Sequence, residues 1–102
     1  MNGKIYNLID YLNTSTNSLV VGRKYGKITR KLMDLNRLDK TTDTIDIIFP
    51  DTIFMVSPSF FLGMFEDSFI LLGKEKFLKK YNIVCTLFIK ESLYSAINRA
   101  IK

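Results

Sequence analysis

The 102-residue chain has no histidine, no tryptophan and a single cysteine. Without histidine, serine–histidine triads, imidazole acid–base catalysis and histidine metal ligation are excluded. A single cysteine cannot build a disulfide framework or a Cys/His zinc site, because each needs several ligands. Since Cys85 lies in the apolar run NIVCTLFI, we expect a buried thiol in a reducing compartment. Neither a metal nor another cofactor is expected.

Long apolar runs are also missing. No stretch approaches the roughly 20 apolar residues of a membrane-spanning helix, and the first residues lack the basic start and apolar stretch of a signal peptide. We therefore expect a cytoplasmic protein with no membrane partner. An apolar fraction of 47% excludes a disordered chain, and the length predicts one domain over residues 1–102.

Acidic pairs are the remaining candidates for catalysis. Asp43 with Asp46 and Glu66 with Asp67 are the nearest pairs, but such carboxylates are usually solvated surface groups. The stretch GRKYGKIT contains three residues between its glycines where a phosphate-binding loop needs four, and isoleucine follows Lys27 where a hydroxyl is needed. We therefore expect no enzymatic activity.

The net charge of +5 is unevenly distributed. Five of the nine residues in RKYGKITRK are basic, and we refer to them as the basic patch: Arg23, Lys24, Lys27, Arg30 and Lys31. Such a patch attracts phosphate, nucleic acid or an acidic partner, although it is equally typical of a lysine-rich solvated surface. Because Tyr25 is the only aromatic residue within it, phosphate contact is expected rather than base stacking.

Three apolar runs predict strands. They are SLVVG at residues 18–22, IDIIF at 45–49 and NIVCTLF at 82–88, the last two rich in β-branched residues as buried strands are. The first segment, residues 4–12, is ambiguous, because its apolar spacing favours a helix while its β-branched content allows a strand.

Helices are predicted between these strands. Residues 27–38 are expected to form an amphipathic helix with Ile28, Leu32 and Leu35 on its apolar face. Residues 58–72 predict a second helix, and KESLYSAINRAIK predicts a helix at the end of the chain. Alternating strands and helices favour an α/β domain whose helices pack on a mostly parallel sheet.

The second helix begins with the unusual stretch VSPSFFLGMF. Ser57 is predicted to cap it, with Pro58 in the first helical position, and Gly73 is predicted to end it. Its apolar arc is wider than packing on one sheet requires. The excess surface is covered by neighbouring helices, or it forms a docking surface that includes Phe60, Phe61 and Met64. Inside the arc, Ser68 is expected to bond to a carbonyl of the preceding turn.

Several segments together resemble the bacterial STAS-like family, which is related to the anti-sigma-factor antagonists. They are IYNLIDYL near the start, SLVVGRKYGKITRKL, and VSPSFFLGMF followed by LGKEKF. The resemblance spans residues 5–101. It implies a small α/β domain with a mixed sheet of about four strands, helices packed on one side and a strand pair at the start, so that the first segment would be a short strand.

The same resemblance implies a regulatory site. In anti-sigma-factor antagonists, the turn before the second helix carries a serine that a histidine-kinase-like ATPase phosphorylates. The matching residue here is Ser57, or Ser59 if the loop is displaced by two residues. A phosphate would add about −1.5 to −2 charges at the N-terminus of the helix.

We therefore expect a non-enzymatic protein–protein interaction module with a regulatory role. It would dock a protein partner, such as a histidine-kinase-like ATPase, through the Ser57 turn and through Phe60, Phe61 and Met64. The alternative is a small basic protein, such as a phage-encoded one, that binds nucleic acid or inhibits a nucleic-acid-handling complex. A homodimer that covers the apolar helix is also left open.

Overall fold

A computed structural model of the chain describes residues 3–12 and 18–101. Groups of one or two strands alternate with groups of one or two helices along these residues. The elements are β1 (Gly3–Asn7), a 3-10 helix (Leu8–Tyr11), β2 (Leu19–Val20), α1 (Arg23–Met33), α2 (Leu35–Leu38), β3 (Thr44–Ile48), β4 (Met55–Val56), α3 (Pro58–Lys80), β5 (Tyr81–Val84) and α4 (Leu87–Ala100).

The described strands form two parallel sheets. One contains three strands in the order β1-β3-β5, and the other contains β2 and β4 alone. The predicted α/β architecture is therefore confirmed, but the expected mixed sheet of about four strands, opening with a strand pair, is not what forms. Since β1 pairs with β3 and β2 pairs with β4, the first two strands do not pair with each other.

The two faces of the three-stranded sheet differ in burial. Ile45 and Ile47 of β3, and Tyr81 and Ile83 of β5, are buried. The residues that alternate with them, including Val84, lie on the opposite face and are exposed or half-buried. Successive side chains of a strand point to opposite faces, so the core and the helices lie on one face of this sheet.

Strand β5 lies at an edge of the sheet, and a lysine side chain from α4 contacts its outer side. The carbonyl of Val84 accepts a hydrogen bond from the Phe49 N–H at 2.8 Å, which directs Val84 towards β3. Because adjacent residues of a strand direct their backbone groups to opposite sides, the carbonyl of Ile83 points away from β3. The ammonium group of Lys90, in the first turns of α4, donates to this carbonyl at 3.1 Å.

The first segment contains both structures that its sequence allowed. Residues 3–7 form β1, as the family resemblance implied, and residues 8–11 form the 3-10 helix. Asn7 separates them, since its side-chain Oδ1 accepts a hydrogen bond from the Ile9 N–H at 3.1 Å. The helical spacing of the apolar residues therefore predicts the structure of the second half of this segment only.

Helix α1 differs from its prediction in position and in orientation. It begins at Arg23, four residues early, and ends before Asp34, which has a left-handed backbone with φ of 58°. Its buried side carries Gly26, Thr29 and Met33, while Leu32 is 54% exposed. The predicted apolar face is therefore wrong at Leu32, whereas Leu35 is buried, although it belongs to α2.

Two glycines explain this orientation of α1. A Cβ atom on Gly26 would overlap the carbonyl oxygen of Phe60 and lie 2.8 Å from the Met64 nitrogen. A Cβ atom on Gly63 would overlap the carbonyl oxygen of Arg23 and lie 3.0 Å from the Lys27 nitrogen. Helices α1 and α3 thus cross in backbone contact. The glycine side of α1 must face α3, whatever its apolar residues favour.

The boundaries of the last elements also shift. The strand predicted over residues 82–88 ends at Val84, and α4 begins at Leu87. Thr86 caps this helix, because its Oγ1 accepts a hydrogen bond from the Ile89 N–H at 3.4 Å. Leu87 and Phe88 therefore lie in the first turn of a helix and not in a buried strand.

Candidate docking surface

The Ser57 turn has the geometry that the sequence predicts. The Ser57 Oγ accepts hydrogen bonds from the N–H of Phe60 at 3.1 Å and from the N–H of Gly22 at 3.2 Å, and Pro58 occupies the first turn of α3. The N-cap is therefore confirmed. At the other predicted end, Gly73 has φ of 79° and interrupts the helical backbone, after which α3 continues to Lys80.

Both candidate phosphoacceptors lie at this turn. Ser57 and Ser59 are half-buried. The hydroxyl oxygen of Ser57 is held by two N–H donors, one from each of the polypeptide segments that meet there. Two backbone donors around one oxygen would also favour an anionic group at that position.

The predicted docking residues Phe60, Phe61 and Met64 are fully buried, each with 0% relative exposure, so this part of the predicted surface is wrong. The ring of Phe61 lies 5.5 Å from that of Phe49 and 6.3 Å from that of Phe60. Around Phe60, Phe61 and Met64 the apolar arc of α3 is covered, because α1, α4 and the sheet pack against it. Leu71, which belongs to the same arc, is 58% exposed, so neighbouring elements cover the excess apolar surface only in part.

A buried polar cluster lies at the middle of α3. The carboxylate of Asp39 accepts hydrogen bonds from Arg30 Nη2 at 2.7 Å, from the Ser68 hydroxyl at 2.8 Å and from the Tyr81 hydroxyl at 2.5 Å. All four residues are buried. We call them the Asp39 cluster. Ser68 therefore bonds to a distant carboxylate rather than to the preceding helical turn.

Arg30 belongs to this cluster and not to an exposed basic patch, so its predicted role is wrong. Its Nη1 donates to the Met64 carbonyl and to Ser68 Oγ, both at 2.9 Å, and its Nε donates to Asn36 Oδ1 at 3.0 Å. A buried guanidinium needs such partners to offset its lost hydration. The sequence does not indicate this role, because Met64 and Ser68 lie on another helix, 34 and 38 residues away along the chain.

Burial also changes two pKa values near the cluster. Loss of solvent raises the pKa of Tyr81, and its hydrogen bond to Asp39 raises it further. Burial lowers the pKa of Lys80, whose ammonium group donates to the carbonyl oxygens of Thr41 at 2.6 Å and Asp43 at 2.9 Å. Both side chains donate their hydrogen bonds to oxygen atoms of neighbouring residues, which is typical of structural roles.

The remaining basic patch is smaller than predicted. Arg23 pairs with Glu66, with 2.8 Å between Nη1 and Oε1. Lys24, Lys27 and Lys31 are exposed. Lys27 and Lys31 line a cavity of about 280 Å³ that also includes Asp34 and Asp67, so carboxylates partly offset the charge there.

Large apolar side chains are exposed at another place, between β4 and the start of α4. Phe54, Leu87 and Phe88 are 75%, 79% and 78% exposed, and Met55 is 42% exposed. We call these four residues the α4 patch. Phe54, Met55 and Phe88 line a cavity of about 290 Å³ together with Val56 and Ser92.

Sequence reasoning missed the α4 patch because it placed Leu87 and Phe88 inside a buried strand. Thr86 could have indicated this surface, since a threonine directly before apolar residues with helical spacing is a common helix cap. Once the helix begins at Leu87, no strand neighbour covers these side chains.

The described residues contain no group of three or more histidine, cysteine, aspartate or glutamate side chains that could hold a metal ion. Cys85 is half-buried, and burial raises the pKa of its thiol. Within the same residues, every helix is too short or too polar to cross a membrane.

Comparison with known proteins adds no relative. No family model matches the chain, and no curated protein or solved structure matches it. The STAS-like resemblance therefore stays a prediction that depends on the sequence segments alone.

Proposed function

We propose that the protein is a non-enzymatic, regulatory protein–protein interaction module that docks its partner through the α4 patch. The observation that carries this proposal is the exposure of Phe54, Leu87 and Phe88, each at least three-quarters exposed. Phe54 and Phe88 also line one surface cavity, and large exposed apolar side chains grouped in this way are unusual on a protein that remains alone. Aromatic anchors in pockets also dominate the energetics of protein interfaces.

The α4 patch includes a residue that lies close to the Ser57 turn in the sequence. Met55 of the patch lies two residues before Ser57, and Val56 lines the cavity and leads directly into the turn. A phosphate at Ser57 would place negative charge beside an apolar docking surface and alter its affinity. A histidine-kinase-like ATPase, the partner that the family resemblance implies, is the first candidate to test.

A site-specific photo-crosslinker tests the patch in the native host. p-Benzoylphenylalanine replaces Phe88 in one variant and Tyr94, an exposed residue outside the patch, in a matched control. We expect a covalent adduct with one protein from position 88 and none from position 94. Affinity for that purified protein should then fall about 30-fold or more in Phe88→Asp, as at interface hot spots.

Tyr25→Asp is the control for added charge, because Tyr25 is exposed on α1 and lies outside the α4 patch. We expect it to bind within about twofold of the wild type. Equal affinity of Phe88→Asp and the wild type would exclude the α4 patch as the docking surface.

Phosphorylation is tested separately by intact-mass analysis of protein isolated from the native host. The Ser57→Ala and Ser59→Ala variants identify which serine carries the phosphate.

Nucleic-acid binding is the second candidate, and the three exposed lysines of the basic patch favour it. Lys24, Lys27 and Lys31 are exposed and make no ion pair among the residues that the structure describes. Three phosphate contacts would give a salt dependence of about −2.7 in log K against log salt, at about −0.9 per phosphate. A mobility-shift assay at low salt tests this, and an unshifted probe excludes it.

A further inference from the structure

The outer side of β5 carries the backbone groups needed for one more strand. The N–H and C=O of Ile83 both point away from β3, and no described strand pairs with that side. The carbonyl is occupied by the Lys90 ammonium group at 3.1 Å. A lysine at a sheet edge is one of the devices by which proteins prevent edge-to-edge pairing.

The arrangement suits a second copy of the same chain. In an antiparallel pair, two opposed residues exchange both of their N–H···O bonds. If two β5 strands met about a two-fold axis at Ile83, the N–H of each Ile83 would donate to the carbonyl of the other. That carbonyl is the acceptor which Lys90 occupies.

The side chains of β5 are compatible with such a pairing. The strand reads Tyr-Asn-Ile-Val and carries no charge, so no like charges would be opposed across the axis. With Ile83 opposite its own copy, Val84 would lie beside Asn82 of the partner on the exposed face of the sheet. Val84 is 45% exposed and would gain this uncharged polar neighbour, so the pairing would bury no charge on that face.

We propose that the β5 edge is a latent homodimer surface and that Lys90 keeps it closed. The Lys90 ammonium group takes the Ile83 carbonyl that the second copy would need. When the lysine is removed, two three-stranded sheets join into one continuous six-stranded sheet. This surface shares no residue with the α4 patch, and the proposal does not depend on the proposed docking function.

The test compares Lys90→Met with Lys90→Arg and Lys79→Met. Methionine keeps the aliphatic stem and removes the donor, and arginine retains a donor. Lys79 is an exposed lysine in the last turn of α3. Sedimentation velocity should show twice the wild-type mass for Lys90→Met at high concentration. The wild type and both controls should keep the wild-type mass.

Hydrogen exchange locates the contact. In the Lys90→Met dimer, exchange of the Ile83 amide should slow by about tenfold or more, the equivalent of one or two net hydrogen bonds. A folded Lys90→Met that stays at the wild-type mass would overturn the proposal, and so would a dimer with unchanged exchange at Ile83. If Lys90→Met lacks a native circular dichroism spectrum, Lys90→Leu takes its place with the same two outcomes, because leucine also carries no donor.

Discussion

Two helices of this protein begin with apolar segments that contain phenylalanine, and the environments of these rings are opposite. At the start of α3, Phe60 and Phe61 are fully buried, whereas Phe88 at the start of α4 is 78% exposed. Helix α3 lies between α1, α4 and the sheet, while Leu87 and Phe88 in the first turn of α4 face solvent. Apolar content alone therefore does not determine burial, because the position of a segment among the other elements decides it.

The sharpest test of this contrast replaces one phenylalanine in each segment. Phe61→Ala should lower the free energy of unfolding by about 3 to 5 kcal/mol, because it leaves a cavity among packed aromatic rings. Phe88→Ala should change it by less than about 0.5 kcal/mol, as an exposed substitution does. Urea denaturation followed by circular dichroism measures both values. Similar losses in the two variants would mean that Phe88 is part of the core.

A smaller effect is expected at the crossing of α1 and α3. Gly63→Ala should cost about 1 to 3 kcal/mol, because its added methyl group would lie on the backbone of Arg23. Gly3→Ala is the matched control, since a Cβ atom there meets nothing within 4 Å. The same denaturation experiment applies. A Gly63→Ala variant as stable as Gly3→Ala would show that the two helices separate without penalty.

The smallest expected effect is on the pH dependence of stability, and it compares the buried Asp39 cluster with the solvated surface. The raised pKa of Tyr81 means that the folded state favours the neutral phenol. Its contribution to stability is complete below about pH 10, the ordinary tyrosine pKa. Above that pH the unfolded chain ionises first, so stability should fall by up to about 1.4 kcal/mol per pH unit from this group.

Tyr81→Phe isolates this contribution from the other titrating residues. Urea denaturation of the wild type and of Tyr81→Phe between about pH 8 and about pH 11 should give a shallower alkaline slope for the variant. Tyr94→Phe, at an exposed tyrosine, should keep the wild-type slope. Parallel slopes for wild type and Tyr81→Phe would contradict a raised Tyr81 pKa.

Much of the fold follows from local patterns. The cap at Ser57, the interruption at Gly73 and the strand formed by IDIIF each depend on residues within one short segment. Local chemistry fixes such features, so the sequence was sufficient to predict them.

The errors concern contacts between distant segments. Gly26 and Gly63 are 37 positions apart, and each alone indicates only a position of low helix propensity. Their contact turns α1 so that Leu32 faces solvent and Arg30 reaches Asp39. The α4 patch was missed for a different reason, a strand boundary that Thr86 moves by four residues.

The Asp39 cluster also has a consequence for when the domain can form. Its members come from α1, the turn after α2, α3 and β5, so they span residues 30–81 of the chain. Burying the carboxylate without its donors costs several kcal/mol. We therefore expect no stable fragment to end before Tyr81. During synthesis the domain should fold in one step, after β5 has left the ribosome.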